Sequence, residues 1–166
     1  MGIGTVDRGQ RAVTVERTIP APAHRLFDLV ADPAMHPLID GSGTVKAVAD
    51  GAPHRLAPGV RFGMAMRIGT HYRITNTVVE FEEGRLLAWD HMGRARWRYR
   101  FEPLDGGRST RVVETWDYST APRWLGLALG VLGFRRRNRR GMERTLERLE
   151  AQVTARPEAR RTETGA

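Results

Sequence analysis

Cysteine is absent from this 166-residue chain. Disulfides, thiolate nucleophiles and cysteine-ligated metals are therefore excluded, and so is a small secreted domain held together by disulfides. Long apolar runs are also missing. The longest, WLGLALGVLGF from Trp124 to Phe134, falls well short of the roughly 20 residues that a membrane-spanning helix needs. The opening MGIGTVDRGQ lacks the continuous apolar core of a signal peptide, so a cytoplasmic setting is expected. Lysine is almost absent as well, Lys46 being the only one among 27 basic residues. A net charge of +8 and a pI of about 11.2 would by themselves suggest a polyanionic partner. Basicity carried by arginine alone fits a GC-rich coding sequence that uses arginine for ordinary surface charge. A nucleic-acid partner is accordingly not favoured.

What is present is enough apolar chain for one domain with a real core. RAVTVERTI, from Arg11, reads as a strand ended by Pro20 and Pro22. PAHRLFDLVAD then carries Leu26, Phe27 and Val30 at helical spacing, and PAMHPLI forms a second short helical piece. From Thr44 the chain changes character. TVKAVAD, VRFGMAMRI, HYRITNTVVEF, RLLAWDHM, RARWRYRFEP and STRVVETWDY read as six strands separated by Gly, Pro and Asp turn clusters. After Tyr118, Ser119 or Thr120 is placed to cap a helix with Pro122 in its first turn. Met142, Leu146, Leu149 and Val153 then repeat as the buried stripe of a long helix. Residues 1–10 read as a flexible N-terminus, 11–154 as a single domain and 155–166 as a disordered tail.

The segment RARWRYRF, from Arg94 to Phe101, alternates arginine with apolar or aromatic residues. Hairpin registers decide what that alternation does. A three-residue turn, Met92 to Arg94, pairs Trp89 with Trp97, Leu87 with Tyr99 and His91 with Ala95. A two-residue loop at Gly106 and Gly107 pairs Phe101 with Val112, Tyr99 with Glu114 and Trp97 with Trp116. Combining them gives three rows across three strands: Trp89, Trp97, Trp116; Leu87, Tyr99, Glu114; and His91, Ala95, Tyr118. These rows are expected to face inward, with Arg96, Arg98 and Arg100 outside. A single-strand nucleic-acid binder needs aromatics and positive charge in one groove, and here the two lie on opposite faces.

Glu114 and His91 stand out on that inner face. A carboxylate among tryptophans must be protonated, paired or wet, and two polar groups on an apolar wall suggest a cavity with polar handles. Phe62, Met64, Met66 and Ile68 share one face of an earlier strand, opposite Gly63 and Ala65. HYRITNTVVEF has apolar residues of both parities, Ile74 and Val78 against Val79 and Phe81, so its inner face is not legible.

The order of elements is that of the helix-grip fold, and the sequence itself is familiar. ERTIPAPAHRLFDLVADPAMHP, HPLIDGSGTV, LAPGVRFGMAMRIG, LLAWDHMGRARWRYRFEP and RVVETWDYS resemble the START/Bet v1-like (SRPBCC) superfamily, in its bacterial polyketide cyclase/dehydrase-like branch. The resemblance spans Arg11 to Val153. It implies an α+β fold, a curved seven-stranded antiparallel sheet around a long C-terminal helix, with two short helices between strands 1 and 2. It further implies a hydrophobic cavity between sheet and helix, with Leu125 and Leu129 of the apolar run closing one side and Gly126, Gly130 and Gly133 allowing close approach. Members of the superfamily bind lipids, sterols, polyketides, hormones or quinones, and a minority catalyse cyclisation or dehydration.

Three functions compete. The first is a carrier or sensor of a small hydrophobic molecule held by Phe62, Met64, Met66, Leu87, Trp89, His91, Trp97, Tyr99, Glu114, Trp116, Leu125 and Leu129, with no metal or cofactor. The second is a polyketide cyclase or dehydratase in which Glu114 is the base and His91 or Tyr99 donates to the enolate. His36 lies near the cavity mouth in that reading, although a capping or surface position is the simpler expectation. The third is an interaction protein that meets an anionic surface, such as a membrane, through RRRNRR, Arg135 to Arg140. The reading favours a binding protein over a cyclase or dehydratase.

Overall fold

The computed structural model describes residues 11–91, 95–122, 124 and 133–155. Seven strands form one antiparallel sheet: β1 (Ala12–Ile19), β2 (Val45–Val48), β3 (Arg61–Ile68), β4 (Thr70–Glu82), β5 (Leu86–His91), β6 (Ala95–Leu104) and β7 (Ser109–Asp117). Their spatial order is β1-β7-β6-β5-β4-β3-β2. Every neighbour from β2 to β7 is therefore joined by a local connection, and only β1 returns from the far end to pair with β7. Between β1 and β2 come α1 (Ala23–Ala31), a 3₁₀ turn (Pro33–Met35) and α2 (His36–Ile39). The long helix α3 (Phe134–Ala155) closes the domain. This is the helix-grip architecture expected from the order of elements.

The registers read from the sequence are those of the structure. Trp89 pairs with Trp97, Leu87 with Tyr99 and His91 with Ala95. Phe101 pairs with Val112, Tyr99 with Glu114 and Trp97 with Trp116. Gly106 and Gly107 both take positive φ, 67° and 88°, as a tight two-residue loop demands. Met92 to Arg94 lie outside the described residues, as do 1–10 and 156–166. Tyr118 lies one residue beyond the last β6–β7 pair, Arg96 with Asp117, and its N–H donates instead to the Arg11 carbonyl at 3.0 Å.

β4 carries the feature that obscured its faces. Its pairing with β5 shifts register between Val78 and Glu80, the mark of a β-bulge at Val79. One extra residue flips the parity. Asn76 and Val78 are buried before the bulge, Val79 is 42% exposed, and Phe81 points back to the core. Phe81 meets Phe27 of α1 edge-on at 5.6 Å, and Phe27 meets Phe101 in the same manner. Both apolar parities of HYRITNTVVEF thus face inward, on opposite sides of one bulge.

The outer face of the sheet uses its arginines on carboxylates. Arg96 donates to Asp90 at 2.9 Å and to Glu80 at 2.8 Å, and Arg98 Nε donates to Glu80 at 2.9 Å. Arg100 is exposed on the same side. The inner face is covered by α3, whose Met142, Leu146, Leu149 and Val153 are buried. Arg17 of β1 and Glu150 of α3 tie the two together with a 2.6 Å ion pair. α3 does not continue unbroken from a cap at Ser119 or Thr120. Gly133 sits at φ 72°, in the left-handed region, and the α3 helix starts only after it.

The turn after α2 is pressed against α3. The Gly41 N–H donates to Thr145 Oγ1 at 2.9 Å, and that hydroxyl donates to the Gly141 carbonyl at 3.0 Å. A side chain at Gly41 would collide with the backbone of α3 at Gly141 and Thr145. Glycine is needed here for close approach.

Candidate functional site

Between the concave face of the sheet and α3 lies a cavity of about 420 Å³, within the range of small-molecule sites. The inward rows build its floor. Trp89, Trp97 and Trp116 contribute one row and Tyr99 with Glu114 the next, while His91 and Ala95 stand at the open ends of β5 and β6. Met64 and Met66 of β3 extend the wall, and Met142 and Thr145 of α3 form the roof. Aromatic contacts hold the floor in place. Tyr99 stacks on Trp89 at 5.6 Å, and Trp97 lies 6.2 Å from Trp116.

Glu114 is the chemical centre of this wall. It is 1% exposed. Its Oε1 accepts a 2.8 Å hydrogen bond from the Tyr99 hydroxyl, while its Oε2 is buried without a partner. Burial pushes the carboxyl up to about 8, against the opposing effect of the Tyr99 hydrogen bond and with a small push from the charge of Asp40. At neutral pH the group therefore holds its proton. Because Tyr99 donates to Oε1, the proton belongs on Oε2, which leaves an unused O–H donor on a residue that lines the cavity. Tyr99 is itself raised well above its ordinary value, first by burial and then by the Glu114 charge, so its hydroxyl stays protonated.

A second polar group faces the same space. Asn76, 2% exposed, lies with its Oδ1 3.4 Å from His91 Nδ1, and burial lowers the His91 pKa. His36 is buried rather than on the surface, and its ring caps the C-terminal end of α1. It stacks on Trp89 at 5.3 Å, and its Nε2–H donates to the Val30 carbonyl at 2.8 Å. Burial lowers its pKa too, so it is a neutral wall residue. Among the described residues, no cluster of three or more acidic or histidine side chains is arranged to hold a metal ion.

Eight of the ligand-binding residues inferred from the sequence line this one cavity: Met64, Met66, Trp89, His91, Trp97, Tyr99, Glu114 and Trp116. Two do not. Phe62 lies behind the wall, edge-on to both His36 and Trp89 at 5.7 Å. Leu87 is wholly buried toward the end of β5 where α1 packs, so it belongs to the core. Leu125 and Leu129 lie outside the described residues, as do Gly126 and Gly130. The sequence reading missed Asn76, hidden by the bulge, and Tyr72 and Ile74 on the same strand, all of which line the cavity. Ala121, Asn138 and Thr145 carried no sequence signal that set them apart.

Residues 10–154 match the family described as polyketide cyclase / dehydrase and lipid transport. An uncharacterized protein of Mycobacterium tuberculosis, Rv0088, is 39% identical over 155 residues, which are 92% of this chain and 68% of the relative. Among solved structures, protein Ms6760 from Mycobacterium smegmatis superposes with a TM-score of 0.67 at 20% identity, covering 93% of this chain and 99% of that one. A Rhodobacter sphaeroides protein gives 0.69 at 15% identity over 94% and 100% of the two chains. An AHSA1-like protein from Aeromonas hydrophila gives 0.58 at 17% identity over 87% and 92%. At these identities the structures establish a shared fold.

Proposed function

The chain belongs to the polyketide cyclase / dehydrase and lipid transport family, and on that premise we propose that its cavity binds a small hydrophobic molecule bearing at least one oxygen. The observation that carries this reading is the unpartnered Oε2 of Glu114, a residue that lines the cavity beside Trp89, Trp97, Trp116, Tyr99, Met64 and Met66. A buried polar atom without a partner costs about 1–3 kcal/mol, and a ligand carbonyl or hydroxyl that accepts from Oε2–H removes that cost. The apolar body of the ligand supplies affinity by burial against the aromatic rows.

Native mass spectrometry of protein purified gently from its source organism tests this. A discrete added mass, lost on denaturation and reduced in Glu114→Leu, which keeps the bulk and removes the donor, is the expected result. A bare mass together with no binding of oxygenated apolar compounds removes the proposal. A cytoplasmic setting is part of it, and cell fractionation tests that part.

A cyclase or dehydratase reading is favoured by one specific observation. A carboxyl titrating near 8 can give or take a proton close to neutrality, as a general acid or base must. Glu114 would exchange that proton beside a substrate carbonyl, with the Tyr99 hydroxyl holding its other oxygen. In that case Glu114→Gln abolishes turnover of a polyketide-like substrate and spares binding. Unchanged turnover would take Glu114 out of the chemistry.

A further inference from the structure

The arginines at the start of α3 differ from five others, Arg17, Arg55, Arg96, Arg98 and Arg111, each of which meets a carboxylate. No carboxylate pairs with Arg136, Arg137, Arg140 or Arg144 among the described residues. These four converge on a second cleft of about 370 Å³, completed by Gly41, Ser42, Gly133 and Gly141. Arg136 and Arg137 also occupy the first turn of a helix that begins at Phe134 with no acidic residue in that turn. Cations at that end oppose the helix dipole. Like charges gathered there are unfavourable on both counts, and a bound anion reverses both.

The cleft is not separate from the cavity. Ser42, Arg137 and Gly141 line both. The nearby acid, Asp40, is turned to its own loop. Its oxygens accept from the Ser42 N–H at 3.0 Å, the Ser42 hydroxyl at 2.7 Å and the Val45 N–H at 2.9 Å. The guanidinium of Arg137 stands over the Phe134 ring at 6.0 Å, at the seam where apolar wall gives way to charge.

We propose that the ligand is an acidic amphiphile: a phosphate or carboxylate head held by Arg136, Arg137, Arg140 and Arg144, with its hydrocarbon body in the cavity. Guanidinium forks suit both heads, because each offers paired oxygens to paired N–H donors. This rests on the reading that the cavity takes an apolar ligand, and it adds the chemistry of the other end. The arginine run thereby acts on a single molecule, in place of an extended anionic surface.

Isothermal titration of the full chain with decyl phosphate, decanoate, 1-decanol and inorganic phosphate tests the proposal, with the alkyl ligands kept below micelle formation. At low ionic strength one or both acidic ligands should bind at least about tenfold more tightly than decanol, the scale of one or two charge-assisted hydrogen bonds. That advantage should shrink at high salt. It should fall in Arg137→Gln, and to about twofold in the double variant R136Q/R140Q, whose decanol affinity should stay unchanged. Equal affinities for decyl phosphate, decanoate and decanol in the unaltered protein would overturn the head site and leave the apolar cavity standing. Failure of all three to bind would remove both. Decyl phosphate and decanoate binding no tighter than inorganic phosphate would disconnect cleft from cavity and overturn the proposal. So would arginine variants that lose binding to phosphatidylglycerol vesicles yet keep decyl phosphate and decanoate unaltered, an outcome that assigns the run to a membrane surface.

Discussion

The Tyr99 hydroxyl donates to Oε1 of Glu114 at 2.8 Å while Oε2 of the same carboxyl, equally buried, meets nothing. The two residues are register partners on β6 and β7, so their side chains leave the same face side by side. One oxygen is satisfied by the fold and the other is left without a partner. That asymmetry turns a buried acid into a directed donor.

Stability should fall as pH rises through this site. The folded carboxyl titrates at about 8 against an ordinary 4.5, so between those values the folded state holds a proton that the unfolded chain has released. Its stabilising contribution is complete below the unfolded value and is lost as pH rises through the folded one, by about 1.4 kcal/mol per pH unit while the difference persists. Glu114→Gln cannot titrate. Urea denaturation from pH 5 to pH 9 should show the variant gaining on the unaltered protein by a few kcal/mol, with the difference levelling off above pH 8. Parallel stability curves would show that Glu114 is not held neutral.

Tyr99→Phe should move that titration upward. The Tyr99 hydrogen bond lowers the Glu114 pKa, and without it the ionised form loses its one donor. The variant should cost about 1–2 kcal/mol near pH 6, where a neutral hydrogen bond is lost and an acceptor is stranded, and more at pH 9, where the lost bond is to a charged group. Carbon-13 NMR titration of labelled glutamate carboxyls reads the shift directly. An unmoved midpoint would mean that the hydroxyl does not reach the acid in solution.

Gly41 and Gly141 should respond differently to alanine. At Gly41 a methyl meets the α3 backbone at Gly141 and Thr145, which cannot yield without lifting the loop off the helix. At Gly141, inside α3, the nearest atom is Ser42 Cβ at 3.2 Å, and alanine brings roughly 1 kcal/mol of helix propensity. Gly41→Ala should therefore lower Tm by several degrees, since each kcal/mol is worth about 2–4 °C at this size. Gly141→Ala should stay within about 2 °C. Equal losses at both positions would show that loop and helix move together as one flexible unit.

The parts of the site that could be read in advance are those where a period of two and a hairpin loop act together. Trp89, Trp97 and Trp116 were placed in one row because only one pair of loop lengths keeps the aromatics on a common face. Asn76 and Phe81 could not be placed, because a bulge is a tertiary accommodation that leaves no mark in the residues flanking Val79. His36 belongs to a helix of four residues, too short to show a stripe, and its burial comes from a stack on Trp89 distant in sequence. Phe62 and Leu87 show the complementary limit. Alternation assigns a residue to the inner face, but whether that face meets core, as at Leu87, or cavity, as at Trp97, depends on what is packed above it.

Narrowing the cavity should weaken binding without harming the fold. Ala95 opposes His91 on the inner face near the start of β6, lines the cavity and is only half-buried, so a larger side chain has space to grow into. Phenylalanine suits a strand and would pack among Trp97, Trp116 and His91. Ala95→Phe should hold Tm level or raise it slightly, while the affinity for 1-decanol falls at least about tenfold, more than 1.4 kcal/mol. Arg100→Thr, on the outer face of the same strand, should leave that affinity unchanged and so controls for altered sheet geometry. Tryptophan fluorescence follows both, since Trp89, Trp97 and Trp116 line the site. A loss common to both variants would indicate a disturbed strand. Decanol affinity preserved in Ala95→Phe would move the binding site away from the β5–β6–β7 wall and remove Glu114 as its polar anchor.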